Sequence, residues 1–352
     1  MSAVLSLLVI AASVYVLAIV TDEFFVVSLD RVADRLDMPS DVAGASLMAM
    51  GSSAPELCIA LVAVLIGGAH GEVGIGTIVG SAVFNILVIT GASAIIAGEL
   101  VIRDRSIERD SAFYLMSIGA LLFVFWDGNI QIWEALLLLM VYVVYLVVLW
   151  QWRGKGEPEG ESRKVPAPVL KSDNDRPSLI ARFNQLLVRI VYVVARDPAK
   201  HYVWAMLVSI AIIAGLSYAL VEATVILSAA IGIPPVFVSL TLLAAGTSAP
   251  DLIASVGVAR DGRGSMAVAN AIGSNIFDIL VGLSIPWLVI LLFMGQNVEV
   301  ATEGLISSVF ILAGTVVLLY AFIYTRRRFE RWEGSVLLLA YVAYIVYVIV
   351  TN

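Results

Sequence analysis

The sequence predicts an all-α polytopic membrane protein of ten transmembrane helices, arranged as two inverted five-helix repeats with helices 2 and 7 broken at mid-membrane. Composition, the placement of basic residues and an internal repeat carry that prediction. Hydrophobic residues make up 61% of the 352 positions, charged residues 14%, and mean hydropathy is +0.98. A soluble domain carries about 25% charged residues and lacks the interior to hide so much apolar side chain, so the solvent here is lipid. A soluble enzyme, a nucleic-acid binder and a disordered chain are excluded together. The single cysteine, Cys58, rules out an intramolecular disulfide, and His70 and His201 are too few and too far apart in sequence to suggest a histidine metal site.

A helix needs about 17–25 apolar residues to cross a bilayer. Ten runs qualify, near 2–20, 42–66, 73–97, 111–126, 132–152, 202–221, 236–259, 265–294, 305–325 and 334–350. The first begins at Met1 without a basic leader and reads as a retained span, not a cleaved signal. With the N-terminus outside, the segments after spans 1, 3, 5, 7 and 9 are cytoplasmic, and they hold all 21 Lys and Arg residues. The outer segments hold acids such as Glu72, Asp127, Glu222, Glu299 and Glu303. Both termini are therefore expected outside a plasma membrane, with halves 1–152 and 201–352 joined by a cytoplasmic connection, 153–200. Gly154, Gly156, Pro158, Gly160, Pro166 and Pro168 make its first part a flexible linker. Further on, Arg182, Arg189 and Arg196 recur every seven residues along an apolar stretch. That spacing predicts an amphipathic helix over 179–196, lying on the inner membrane surface.

The halves repeat one another. Gly51-Ser52-Ser53-Ala54-Pro55-Glu56-Leu57 in span 2 matches Gly246-Thr247-Ser248-Ala249-Pro250-Asp251-Leu252 in span 7. Gly80-Ser81-Ala82-Val83-Phe84-Asn85-Ile86-Leu87-Val88 in span 3 matches Gly273-Ser274-Asn275-Ile276-Phe277-Asp278-Ile279-Leu280-Val281 in span 8. Five spans, an odd number, separate the copies, so the second half is threaded upside down. Inverted repeats build secondary transporters, with the site at mid-membrane where the halves meet. Away from the span ends, the carboxylates that fall in the membrane are Glu56, Asp251 and Asp278. An ionised carboxylate at the bilayer centre costs at least about 2.5 kcal/mol, and no Lys or Arg lies within a span to offset it. Bound cations or protons are the remaining compensation.

Backbone chemistry points the same way. Pro55 and Pro250 lie inside their spans, where each removes an N–H and breaks the helix, freeing the carbonyls of Gly51 and Gly246. Ser52 and Thr247 stand four residues before their carboxylates, and the pairs Ser81/Asn85 and Ser274/Asp278 share a helical face at the same spacing. Carboxylate, hydroxyl, amide and carbonyl oxygens suit Na⁺, K⁺, Ca²⁺ or Mg²⁺, not Zn²⁺ or Cu⁺. Gly74, Gly76, Gly80 and Gly273 read as close helix-packing positions. Asn270 and Asn275 fit either interhelical hydrogen bonding or a part in the site, and Glu72 reads as a solvated acid at the mouth of span 3.

These repeats, at about 42–91 and 237–287, resemble the alpha repeats of the cation/calcium exchanger superfamily, in its Na⁺/Ca²⁺ exchanger branch. The motifs that carry the resemblance are GSSAPEL, GTSAPDL, GSAVFNIL and GSNIFDIL. It implies that Glu56 and Asp251 bind Ca²⁺ and Na⁺ alternately. It implies further oxygens from Ser52, Ser53, Thr247, Ser248 and the carbonyls of Ala49 and Ala244, and Na⁺ sites completed by Ser81, Asn85, Ser274 and Asp278. The Asn85/Asp278 pairing, with Phe84 and Phe277, is more similar to the K⁺-dependent members. Microbial relatives without K⁺ dependence also carry an acid at the Asp278 position, which leaves K⁺ co-transport open. The 153–200 connection is too short for the Ca²⁺-sensing domain of animal members, implying a minimal, microbial-type transporter.

Glu56 and Asp251 together carry two negative charges, which one Ca²⁺ neutralises or several Na⁺ ions share. Cations that need the same oxygens compete, so antiport by alternating access is expected. No enzyme chemistry, organic cofactor, nucleic acid or obligate protein partner is expected; the partners are inorganic cations and the lipid bilayer. Sliding of the smooth spans 1 and 6 past the ligand-bearing core is implied by the resemblance. A Ca²⁺(cation)/H⁺ exchanger is the alternative, because a buried carboxylate can instead take a proton. A channel does not call for inverted broken-helix repeats, an intramembrane aspartyl protease lacks its Gly-x-Gly-Asp motif here, and a scaffold has no use for uncompensated membrane acids.

Overall fold

The computed structural model describes residues 3–38, 44–101, 106–152, 179–295, 298–300, 305–326 and 328–350. The flexible linker expected over 153–178 lies outside these residues. Helix α1 runs from Ala3 to Arg35, well beyond the end expected near residue 20. Asp22 and Glu23, just past that end, lie inside a wide π-type turn over Thr21–Val26. Such a turn takes up an extra residue without stopping the helix. Span 2 is a bent pair, α2 (Ser46–Ser52) and α3 (Ala54–Ile66), kinked by 61°. The first half continues with α4 (His70–Ala97), β1 (Glu99–Val101), α5 (Ser106–Val124), β2 (Asn129–Ile130) and α6 (Ile132–Trp152).

Helix α7 (Leu179–Ala195) is the amphipathic helix expected in the connection. Arg196, expected on it, instead ends it with a left-handed φ of 63°. The Tyr15 hydroxyl donates to Asn184, Tyr15 stacks on Phe183, and the Trp204 indole donates to the Val194 carbonyl at 2.9 Å, so α7 is held against the α1/α8 pair. The second half comprises α8 (Tyr202–Ile231), the bent pair α9 (Pro235–Thr247) and α10 (Ala249–Arg260) at 45°, and α11 (Gly264–Met294). It ends with β3 (Val298–Glu299), α12 (Leu305–Arg326), β4 (Arg328–Glu330) and α13 (Arg331–Val350). Helix α8 passes through Glu222, which was expected outside the span; its carboxylate lies 3.5 Å from the His70 ring, so the charge does not have to end the helix.

Among the described residues, seven helices are long and apolar enough to cross a membrane, or nine when each bent pair counts as one span. Helix α5 falls outside that number because Glu108, Arg109 and Asp110 crowd its first turn. Helix α4 is central: 94% of its apolar window is buried, against 28% for α1. It packs on α3, α9, α10 and α13, whereas α11 packs on α5, α6 and α10. Small residues permit the close approach. A Cβ on Gly74 would come within 2.8 Å of the Ala60 backbone, one on Gly76 within 2.1 Å of the Ser239 hydroxyl, and one on Gly80 within 2.3 Å of the Leu240 carbonyl. Gly273 departs from the expected packing role, with nothing within 4 Å of its Cβ position. Apolar side chains of α1 and α8, with part of α3, form a cluster separate from the one built by α4, α5, α6, α11, α12 and α13.

Two short antiparallel ribbons clip the halves together, β1 with β4 and β2 with β3. Strands β1 and β3 follow corresponding helices, as do β2 and β4, so one cross-half contact is made twice. Each ribbon leads into the same helix cap. Glu134 accepts the Gln131 N–H at 2.8 Å and Glu333 accepts the Glu330 N–H at 2.7 Å, while the Trp133 and Trp332 indoles donate to Gln131 and Glu330. This is the back-reaching half of a capping box. The repeat Gln131-Ile132-Trp133-Glu134 and Glu330-Arg331-Trp332-Glu333 is legible in the sequence once its partner is known.

Candidate cation site

Each bent pair breaks at a serine held in the same backbone conformation, φ −92°, ψ 5° at Ser53 and φ −86°, ψ 0° at Ser248. This is the sparsely populated bridge region. Pro55 and Pro250 then sit in the first turn of α3 and of α10, where no helical N–H is required. Glu56 and Asp251 occupy the same first turns, where the partial positive charge of a helix N-terminus favours a carboxylate. Proline therefore does two things: it ends one half-helix and starts the next with an acid at its head.

Wide π-type turns frame the same positions. Turns over Gly44–Met48 and Ser239–Leu243 lead into Ala49 and Ala244, and turns over Asn85–Ile89 and Asp278–Gly282 begin at Asn85 and Asp278. An inserted residue of this kind re-aims the side chains beside it, and such turns gather at functional sites. No sequence signal distinguishes them from ordinary helix.

The halves meet through these residues. Ser52 and Ser274 hydroxyls lie 3.0 Å apart and Ser81 and Thr247 hydroxyls 3.5 Å apart. Ser52 corresponds to Thr247 and Ser81 to Ser274, so this too is one contact made twice. The Asn85 amide donates to Asn275 at 2.8 Å, and the Asn275 amide donates to the Ala82 carbonyl at 3.0 Å and to the Tyr114 hydroxyl at 2.8 Å. Asn275 is thus an interhelical hydrogen bonder, and Asn270 is another, donating to Ser255 at 3.3 Å. Tyr114, absent from the sequence reading, braces this network from α5.

The carbonyls of Ala49 and Ala244 are held in place and are not bare. Each accepts a backbone N–H, from Ser53 at 3.0 Å and from Ser248 at 3.1 Å, and a hydroxyl, from Ser52 and from Thr247, both at 3.3 Å. A bound cation at either would have to displace the hydroxyl hydrogen bond. Other oxygens are waiting. Ser53 Oγ, Ser248 Oγ, Glu56 Oε2, Asn85 Oδ1 and Asp278 Oδ1 are buried without a hydrogen-bond partner. Leaving one such atom unsatisfied costs about 1–3 kcal/mol, and more for a charged group. Thr247 lies alongside Glu56 and Ser53 alongside Asp278, so the unpartnered oxygens of the two halves are interleaved. Among the described residues no three acids or imidazoles are close enough to hold a metal ion by themselves. Neutral oxygens must therefore complete any cation shell, as the donor set anticipates.

Glu56 and Pro55 are buried, whereas Asp251 and Pro250 are only half-buried. Asp22 on α1 also lies within electrostatic reach of Asp251. Asp22 is not among the site residues expected from sequence, because it lies beyond the end expected for span 1.

Apolar helices bent at paired prolines, with interleaved buried oxygens between them, define a membrane transporter for hard cations. The family described as Sodium/calcium exchanger protein matches residues 5–151 and 201–350, and the chain belongs to it. It is a family of transporters, not of enzymes. The human Sodium/potassium/calcium exchanger 4 is 27% identical over 94% of this chain and 78% of its own length. The human Sodium/potassium/calcium exchanger 5 is 30% identical over 95% of this chain and 80% of its own length. Among solved structures, the sodium-calcium exchanger NCX_Mj superposes with a TM-score of 0.60 at 21% identity, covering 98% of this chain and 99% of its own. The H⁺/Ca²⁺ exchanger CAX superposes with a TM-score of 0.68 at 15% identity, covering 99% of this chain and 86% of its own. Both likenesses are of fold.

Proposed function

We propose that this protein is an antiporter that exchanges Ca²⁺ for Na⁺ by alternating access, using one site shared between its halves. The observation that carries the reading is the set of buried, unpartnered oxygens on Ser53, Glu56, Asn85, Ser248 and Asp278. Hard cations satisfy such oxygens, and Ca²⁺ accepts six to eight of them at flexible geometry. Glu56 and Asp251 supply the charge that Ca²⁺ and Na⁺ compete for. Ser52, Thr247, Ser81 and Ser274 close the shell from both halves, and the Ala49 and Ala244 carbonyls join when their hydroxyl partners swing to the ion. Asp278 and Asn85 hold the monovalent ions. The names of the curated relatives support K⁺ as a further cargo, with Asp278 as the residue that would take its charge.

In this reading α5 is span 4 and brings the spans to ten, its charged first turn at the membrane face, and the chain is two inverted five-helix halves. The doubled ribbons, caps and hydroxyl contacts support that symmetry. The termini lie outside the plasma membrane, residues 153–200 lie in the cytoplasm, and α7 rests at the inner surface. The separate apolar cluster of α1 and α8 supports their motion past the α4/α11 core.

The test is radioactive Ca²⁺ uptake into proteoliposomes loaded with Na⁺ and diluted into Na⁺-free medium, with internal choline, external K⁺ and an imposed pH gradient as parallel arms. Uptake that requires internal Na⁺ supports the reading, and the K⁺ arm decides co-transport. Uptake driven by the pH gradient and indifferent to Na⁺ would replace it with Ca²⁺/H⁺ exchange.

A further inference from the structure

We propose that Asp22 is a cation-capturing carboxylate on α1, which hands Ca²⁺ or Na⁺ to Asp251 across an opening at the membrane face where α1 and α10 end. The proposal rests on the transport reading above and adds a residue to it.

Helix α1 lies across both breaks of the site. The Cβ position of Gly51 is 3.0 Å from Val26 Cγ2 and 3.3 Å from Leu29 Cδ1, and that of Gly246 is 3.1 Å from Val14 Cγ2. Asp22 lies on α1 between these two points of contact, within the wide turn over Thr21–Val26. Its carboxylate is within electrostatic reach of Asp251, and Glu23 is beside it. No ion pair neutralises Asp22 among the described residues. An uncompensated acid next to another acid is an unfavourable arrangement unless a cation visits both.

Exposure shows which way the pair opens. Asp22 keeps some exposed surface within a largely packed setting of buried Thr21, Phe24, Phe25 and Val26, and Asp251 is half-buried while Glu56 is closed off. Helix α3 packs along α8, but among the described residues α10 makes no comparable contact with α1. The stretch of α1 that carries Asp22 is thus left uncovered by α10, the helix that carries Asp251. Because α1 belongs to the apolar cluster outside the α4/α11 core, its movement would carry Asp22 toward or away from the site.

The experiment compares wild type, Asp22→Asn, Asp22→Glu and, as a charge control, Asp34→Asn at the exposed end of α1 where Asp34 pairs with Arg31 at 3.5 Å. Na⁺-dependent Ca²⁺ flux is measured in proteoliposomes with Ca²⁺ varied on one face at a time. Asp22→Asn should raise the KM for Ca²⁺ about 5-fold from the face where α1 ends, the effect of one unit charge on a divalent ion across about 8 Å of water. The opposite face should keep its KM, Asp22→Glu should restore the first, and Asp34→Asn should behave as wild type. A second readout needs no transport: Asp22→Cys in a Cys58→Ala background should react with a charged, impermeant thiol reagent from that face, and more slowly with Ca²⁺ present. Wild-type KM values in Asp22→Asn, or an unreactive or cation-indifferent Asp22→Cys, would overturn the proposal. If wild type shows no Na⁺-dependent uptake but Ca²⁺ still protects Asp22→Cys, the transport reading falls and the capture site stands.

Discussion

The two motif copies are nearly the same in sequence and unlike in surroundings. Around Glu56 the chain is closed: Ala54, Pro55 and Glu56 are buried, Ile59 is fully enclosed, and α3 packs along α8. Around Asp251 it is open: Pro250 and Asp251 are half-buried and Ile253 is 59% exposed. The polar contacts do not share this asymmetry, since Ser52–Ser274 and Thr247–Ser81 correspond. The difference therefore arises in how α1 and α8 lie against the bent pairs, not in the site itself. Two equal copies packed unequally can exchange their packing, and exchange of that kind is what alternating access requires.

The largest effects are expected at the acids. Glu56→Gln and Asp251→Asn should each reduce Na⁺-dependent Ca²⁺ uptake by about 100-fold or more, since the divalent ion loses half of its neutralising charge in a buried site. Normal flux in either, with normal insertion, would remove the core of the argument. The same variants can be compared in a melting experiment without cations. Both carboxylates are desolvated and lie close to further acids, so Glu56→Gln and Asp251→Asn should each raise Tm, and an unchanged Tm in either would contradict its burial.

The motif glycines should differ next in size. Gly80→Ala drives a methyl against the Leu240 carbonyl and the Ala244 side chain, and is expected to lower stability by about 1–3 kcal/mol. Its counterpart Gly273→Ala meets open space and should be neutral or slightly stabilising. Equal Tm shifts would show that the copies are packed alike. Asp278→Asn should change the Na⁺ dependence of transport several-fold while changing the KM for Ca²⁺ less, and an unchanged Na⁺ profile would contradict its assignment. The smallest effects belong to the caps. Glu134→Ala and Glu333→Ala should each cost about 1 kcal/mol, by equal falls in Tm, because the two caps are the same structure.

Most of the site was legible in the sequence because it is built from proline, small hydroxyls and acids where lipid-facing helices tolerate none of them. Pro55 and Pro250 predicted the breaks, and the acids beside them are the candidate cation ligands. Two span ends differ from expectation. Helix α8 runs on through Glu222, whose carboxylate meets the His70 ring, and α1 runs on past residue 20 through Asp22 and Glu23. A charge ends a helix in lipid only when the fold offers it neither partner nor water, and that offer comes from residues distant in sequence. The wide turns at Asn85 and Asp278 were invisible for a similar reason, since their residues are ordinary helix formers held in an extra-residue turn by their neighbours.

Residue chemistry alone places the chain in lipid, shows that its halves repeat, and puts oxygen-rich breaks in equivalent spans. Those follow from local chemistry: hydropathy, a missing N–H, a carboxylate with no counter-charge. Long-range packing set which copy is more enclosed, how far α1 reaches and that Asp22 comes within electrostatic reach of Asp251. Which copy is covered depends on contacts of α1 and α8 with residues far away in the chain, and no local pattern in the motifs reports those contacts.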